Sequence, residues 1–192
     1  MYLNDAFAME IAHEERIKER IQKVTLLPEA KLKFEHHLQE TLQQQERVRN
    51  LITESNGIAI YEKADLPVLR PPRSILDNMK KQITLAEWEL KEIEQDIIIE
   101  NAEIAKYNML IQFATKINSL AFAIPPLRQN LEEEYSMYAW LRANTPAMFV
   151  KLWPDIQSYS SLPLQAAEAL SNVNLTFRCE ICQELFASSE EL

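Results

Sequence analysis

Apolar residues recur every three or four positions along four long segments of this chain, and acid or histidine breaks each stripe. The first reads Leu3, Phe7, Glu10, Glu14, Ile17, Ile21, Val24, and the second Phe34, His37, Thr41, Gln44, Val48, Leu51, with Glu40 one turn from His37. The third reads Leu90, Ile93, Ile97, Glu100, Ile104, Tyr107, Ile111, with Glu103 beside it; the fourth reads Leu127, Leu131, Glu134, Tyr138, Leu141. Such spacing puts each set on one helix face. A carboxylate inside a core stripe must be paired, neutralised or metal-bound. One buried acid from each of four helices is the arrangement a dimetal-carboxylate bundle uses.

Only one glycine, Gly57, occurs in 192 residues. Strand-and-turn folds need more turn glycine, so the expectation is an all-α, antiparallel four-helix bundle with an irregular, Pro-containing C-terminal tail. The apolar fraction of 47% suffices for a core. No apolar run reaches bilayer length and no signal peptide opens the chain, so a cytoplasmic, membrane-free protein is expected. The net charge of −9 is spread along the helices. General nucleic-acid binding rests on basic surface and is set aside.

The first helix is expected over about Leu3–Val24 and the second from Pro28 to about Thr53, with Gly57 as its left-handed cap. Residues 58–73 form a connector holding Pro67, Pro71 and Pro72. The helical pattern from Ser74 to Asn118 should break near Ile83-Thr84, leaving a short helix and then the third long one. Residues 119–126 form a loop over the bundle end, and the fourth helix ends near Asn144, before Pro146. The expected divisions are a bundle at 1–145, a tail at 146–174 with a short helix near 164–170, and a small unit at 175–192.

On these residues the chain resembles the ferritin-like stress proteins of the YciE/YciF type. The segments that carry the likeness are Leu3–Glu10, Phe34–Thr41 followed by Glu46-Arg47-Val48, Glu100–Tyr107, and Leu131–Glu134. The resemblance spans roughly residues 3–143, apart from 54–89. It implies an up-down bundle, a di-iron centre and self-association, most simply a homodimer. The usual di-iron bundle carries Glu-x-x-His on two helices. Here the Glu40 match ends in Gln43 and the Glu134 match in Met137, and the family often has His where Gln44 and Asn101 stand. His37 is left as the nitrogen ligand. Glu10 and His13 also have the Glu-x-x-His spacing, but the family signature does not place His there. His13 and Glu14 are assigned to the stripe's edge, His36, Glu87, Glu92, Glu132 and Glu133 to solvated surface, and Tyr107 and Tyr138 to the core.

The segment Phe177-Arg178-Cys179-Glu180-Ile181-Cys182, continuing to Leu185-Phe186 and Leu192, follows the first half of a two-Cys, two-His zinc finger. Cys179 and Cys182 would supply two thiolates to zinc. No Lys or Arg follows Cys182, so a structural or protein-contact role is expected rather than DNA reading.

Three readings follow, the last of them a purely structural dimer or higher oligomer. In the first, Glu10, His37, Glu40, Glu100, Glu103 and Glu134 converge on one interior cavity and hold iron or manganese, at which oxygen or peroxide reacts. In the second, a metal-free helical scaffold binds a protein or nucleic-acid partner through the C-terminal finger.

Overall fold

The computed structural model describes residues 2–67 and 83–159, together with the backbone of 177–178 and 185–186. Four long helices dominate: α1 (Tyr2–Lys23), α2 (Pro28–Glu54), α3 (Leu85–Lys116) and α4 (Ile124–Tyr159). A 3-10 turn at Asn118–Ala123 joins α3 to α4. The expected helical bundle is therefore what the sequence forms. None of the described helices is long and apolar enough to cross a membrane.

Helix ends follow local chemistry. Pro28 opens α2, where its missing N–H is not needed. Thr84 caps α3 in a reciprocal box: its hydroxyl accepts from the Glu87 backbone (3.0 Å), and the Glu87 carboxylate accepts from the Thr84 backbone (2.8 Å). Glu87 is thus a cap and not merely solvated surface. The break at Ile83-Thr84 is in place, while the short helix expected before it lies outside the described residues. At the end of α2 the left-handed residue is Asn56 (φ 56°), not Gly57. The Asn56 amide donates to Thr53 O and the Gly57 amide to Ile52 O, a Schellman closure with asparagine in the left-handed place. Glycine follows because a Cβ there would stand 3.0 Å from the Ile52 carbonyl oxygen.

The connector sets the topology. From Ile58 it runs along α1: Asn4 bonds Ile58 O and the Ile60 amide, Ala64 N–H donates to Ala8 O, and Lys63 pairs with Glu15. It thereby carries the chain back toward the α1–α2 turn before α3 begins. There the buried Glu89 carboxylate accepts from Thr25 N, Thr25 Oγ1 and Leu26 N at 2.8–3.0 Å. Consequently α2 and α3 run the same way, while α1 and α4 run opposite to them. This refines the simple up-down order: one long crossover is the ferritin-like connection. Residues 68–73 of the connector lie outside the described residues.

The last helix does not end near Asn144; it continues through Pro146 and Pro154 to Tyr159. A proline inside a helix costs about 3 kcal/mol. Burial of Met148 and Leu152 returns about 1.5–3 kcal/mol for each side chain. Asn144 Nδ2 and Thr145 Oγ1 also donate to the Trp140 and Leu141 carbonyls. The expected tail boundary at 146 therefore falls inside a helix. Further on, Phe177–Arg178 and Leu185–Phe186 pair antiparallel, Phe177 with Phe186 and Arg178 with Leu185. Cys179 and Cys182, between these strands in sequence, and the helix expected at 164–170 lie outside the described residues.

Candidate metal centre

The bundle interior is polar at mid-height. Glu10 and His13 from α1, His37 from α2, Glu100 and Glu103 from α3 and Glu134 from α4 are each no more than 2% exposed. One ligand atom from each of His13, His37, Glu100 and Glu134 lies within 4.8 Å of all the others. His13 Nε2 and His37 Nε2 approach the same oxygen, Glu100 Oε1, at 3.5 and 3.4 Å, and His37 Nε2 is 3.6 Å from Glu134 Oε2. These separations are long for hydrogen bonds. They match a coordination shell: tetrahedral ligands about 2.1 Å from one ion stand about 3.4 Å apart.

Each imidazole has a carboxylate beside its far nitrogen. His37 Nδ1 donates to Glu40 Oε2 at 3.0 Å. His13 Nδ1 lies 2.8 Å from Glu103 Oε2, although the ring N–H is not aligned for a hydrogen bond. A carboxylate behind a histidine fixes the ring so that its other nitrogen faces a metal. Glu40, with 18% of its side chain exposed, thus stands behind His37 at the margin of the cluster. Of the other five expected residues, His37, Glu100 and Glu134 form the four-ligand group together with His13, while Glu103 lies beside His13 and Glu10 is held by Tyr107.

His13 is the residue that sequence reasoning placed at the edge. Its signal was available: Glu10, His13, Ile17 and Arg20 are all buried and follow three-four spacing. The stripe read through Glu14 and Ile21 follows the apolar Ile21, yet both residues are only half-buried. Arg20 is inside because Asp96 of α3 accepts from its Nε at 2.7 Å, and Asp96 also pairs with Arg16 at 2.8 Å. Arg16 in turn holds Glu92 at 2.6 Å, so Glu92 is a network member and not free surface.

Around the cluster, Tyr107 donates to Glu10 Oε1 and accepts from Asn130 Nδ2, the latter at 2.8 Å. Burial, reinforced by the neighbouring Glu103 carboxylate, raises Glu10 well above the usual carboxylate range. Glu134 is raised likewise, by burial and then by Glu103, Glu100 and Glu10. Burial also lifts Glu103, against the opposing pull of His13. Burial would raise Glu100 too, but the His37 imidazolium overrides it and lowers the carboxyl. Burial opposes charge on His37, yet Glu100 and Glu40 prevail and push it up to about 10.

The donor set fits a metal on one further observation. Both oxygens of Glu100 and of Glu134, Glu10 Oε2 and His37 Nε2 are buried without a hydrogen-bond partner. So many orphaned groups are costly, and all six are carboxyl oxygens or imidazole nitrogen, the donors that first-row transition metals take.

No curated protein matches the chain. A crystal structure of a protein from Xanthomonas campestris shares the fold, with a TM-score of 0.67 and 23% identity over 81% of this chain and 93% of that one. The family model described as a domain of unknown function, DUF892, matches residues 1–151, and the chain belongs to that family.

Proposed function

We propose that the bundle is a ferritin-like metal-binding protein whose ion is held by His13, His37, Glu100 and Glu134. The observation that carries this reading is the convergence of those four ligand atoms within 4.8 Å in a buried site. Two carboxylates and two neutral imidazoles around a divalent cation sum to zero charge, which suits a centre so far from water. Mixed nitrogen and carboxylate ligation favours iron or manganese over calcium or magnesium. Glu10 and Glu103 flank the four ligands with partnerless oxygens and would hold a second ion, giving the di-iron arrangement that the sequence resemblance implies.

Bound iron would supply electron transfer to dioxygen or peroxide, and the sequence resemblance implies a role in oxidative or general stress response. The chain's own residues supply the setting. Glu40 orients the His37 ring, burial keeps water from the cluster, and Tyr107 holds a proton against Glu10. On its sequence pattern alone, Cys179-x-x-Cys182 is read as a separate zinc-binding half-finger, and self-association is expected from the family resemblance.

The test is metal analysis of protein purified without chelator, beside the His13→Ala/His37→Ala variant. Iron or manganese at one or two per chain, lost in the variant, supports the proposal. Metal-free protein that takes up no added iron, manganese or cobalt overturns it and leaves the scaffold reading.

A further inference from the structure

Glu40 links the buried centre to the surface of α2. Among the described residues that touch the cluster's imidazoles and carboxylates, Glu40 stands out, with 18% of its side chain exposed. Tyr107, which donates to Glu10, is closed. Glu40 Oε2 also faces outward: His36 Nδ1, on a side chain 66% exposed, lies 3.4 Å from it. One carboxylate oxygen therefore joins a surface imidazole to the buried ring of His37, 3.0 Å on its other side.

His36 and Glu40 are separated by one helical turn, so both project from the same face of α2. Their 3.4 Å separation is the ligand-to-ligand distance found around an ion with bonds of about 2.1 Å. Two protein ligands with the remaining positions open to water make a weak, exchangeable site. Lys33, one turn earlier, acts on the same carboxylate and works against tight retention of a cation. A weak station in contact with a strong buried one is what stepwise dehydration of an incoming ion requires.

We propose that His36 and Glu40 form the surface station at which a divalent transition-metal ion is captured and passed to the buried centre. The inference rests on the proposed metal site. It assigns Glu40 two duties, bracing His37 when the centre is filled and holding the ion in transit. His36 takes no part in the filled centre. Removing it therefore slows loading and unloading alike and leaves the equilibrium affinity unchanged.

Cobalt(II) is the probe, because its visible absorption follows nitrogen and oxygen ligation directly. Wild-type protein and the His36→Ala and His36→Glu variants are mixed with cobalt in a stopped-flow instrument. Affinity is measured separately by chelator competition. The expected result is that His36→Ala loads roughly tenfold or more slowly, the scale on which local capture changes association rates. Its final spectrum, stoichiometry and affinity equal those of the wild type, and His36→Glu recovers most of the rate. Equal loading rates for wild type and His36→Ala overturn the capture station while leaving the buried site standing. A lowered affinity in His36→Ala also overturns it, by making His36 part of the filled centre. A wild-type protein that never acquires the cobalt spectrum removes the buried site, and the capture station with it.

Discussion

His13 and His37 stand edge to face, their ring centroids 5.4 Å apart, and both present Nε2 to the same oxygen of Glu100. Two imidazoles from different helices do not share one acceptor oxygen in a dry core for packing reasons. Burial works against charge on both rings, and an apolar pair of similar volume would fill the space at lower cost. The relationship makes sense when Nε2 of each ring and the Glu100 oxygen address a common cation.

Single substitutions should separate ligands from braces. His13→Ala or His37→Ala removes a donor, and cobalt affinity should fall by more than about 100-fold, beyond the range for an outer partner. Glu40→Ala removes a brace and should cost only about 10–100-fold. Chelator-competition titrations at one pH give the ranking. If Glu40→Ala loses as much as His37→Ala, Glu40 is a direct ligand.

Proton linkage gives an independent check with a definite sign. Glu10, Glu103 and Glu134 are raised and keep protons where an ordinary glutamic acid has lost them. His13 is raised, and His37 stays charged up to about pH 10. A cation has to displace these protons, so its affinity rises with pH and falls on acidification. Ion binding should therefore release protons. A dye-based titration in weakly buffered solution reads them, and binding without proton release contradicts this protonation pattern.

The helices and the level of the site were legible in the sequence because the α2 stripe, Phe34, His37, Thr41, Gln44, Val48 and Leu51, is buried throughout as the spacing predicts. The α4 stripe drifted by one place: Asn130 and Met137 are fully buried, while Leu131 and Tyr138 are only half-buried. In α1 the same slip favoured Ile21 over Arg20 and Glu14 over His13. Hydrophobicity ranks residues one at a time, whereas Arg20, Asp96, His13 and Glu103 are buried through partners about 75 to 90 positions away. The α2–α3 crossover was hidden for a related reason. It depends on Asn4 and Ala8 holding the connector against α1, and no local pattern announces that contact.

The Arg20–Asp96 pair should matter to stability more than any surface pair. Both groups are nearly closed to solvent, so Asp96→Ala strands a guanidinium and should cost about 3–5 kcal/mol. Glu19→Ala, which breaks the exposed Glu19–Lys23 pair, should change stability by about 1 kcal/mol or less. Urea denaturation of the two variants makes the comparison. Equal small losses would mean that Arg20 reaches solvent when Asp96 is removed.

Pro146 offers a test of the long last helix. It sits between Leu141 and Met148, both buried, inside a helix that runs on to Tyr159. The bundle tolerates the missing hydrogen bond because the side chains that follow are worth more when buried. Replacing Pro146 by alanine restores the amide donor and relieves the clash with the preceding turn. The gain should be up to about 3 kcal/mol, the difference between the two residues in a helix interior. Helix content should stay nearly unchanged by circular dichroism, since the segment is helical already. A large rise in helix signal would instead mean that the wild-type helix stops at Asn144, where the sequence pattern alone had placed its end.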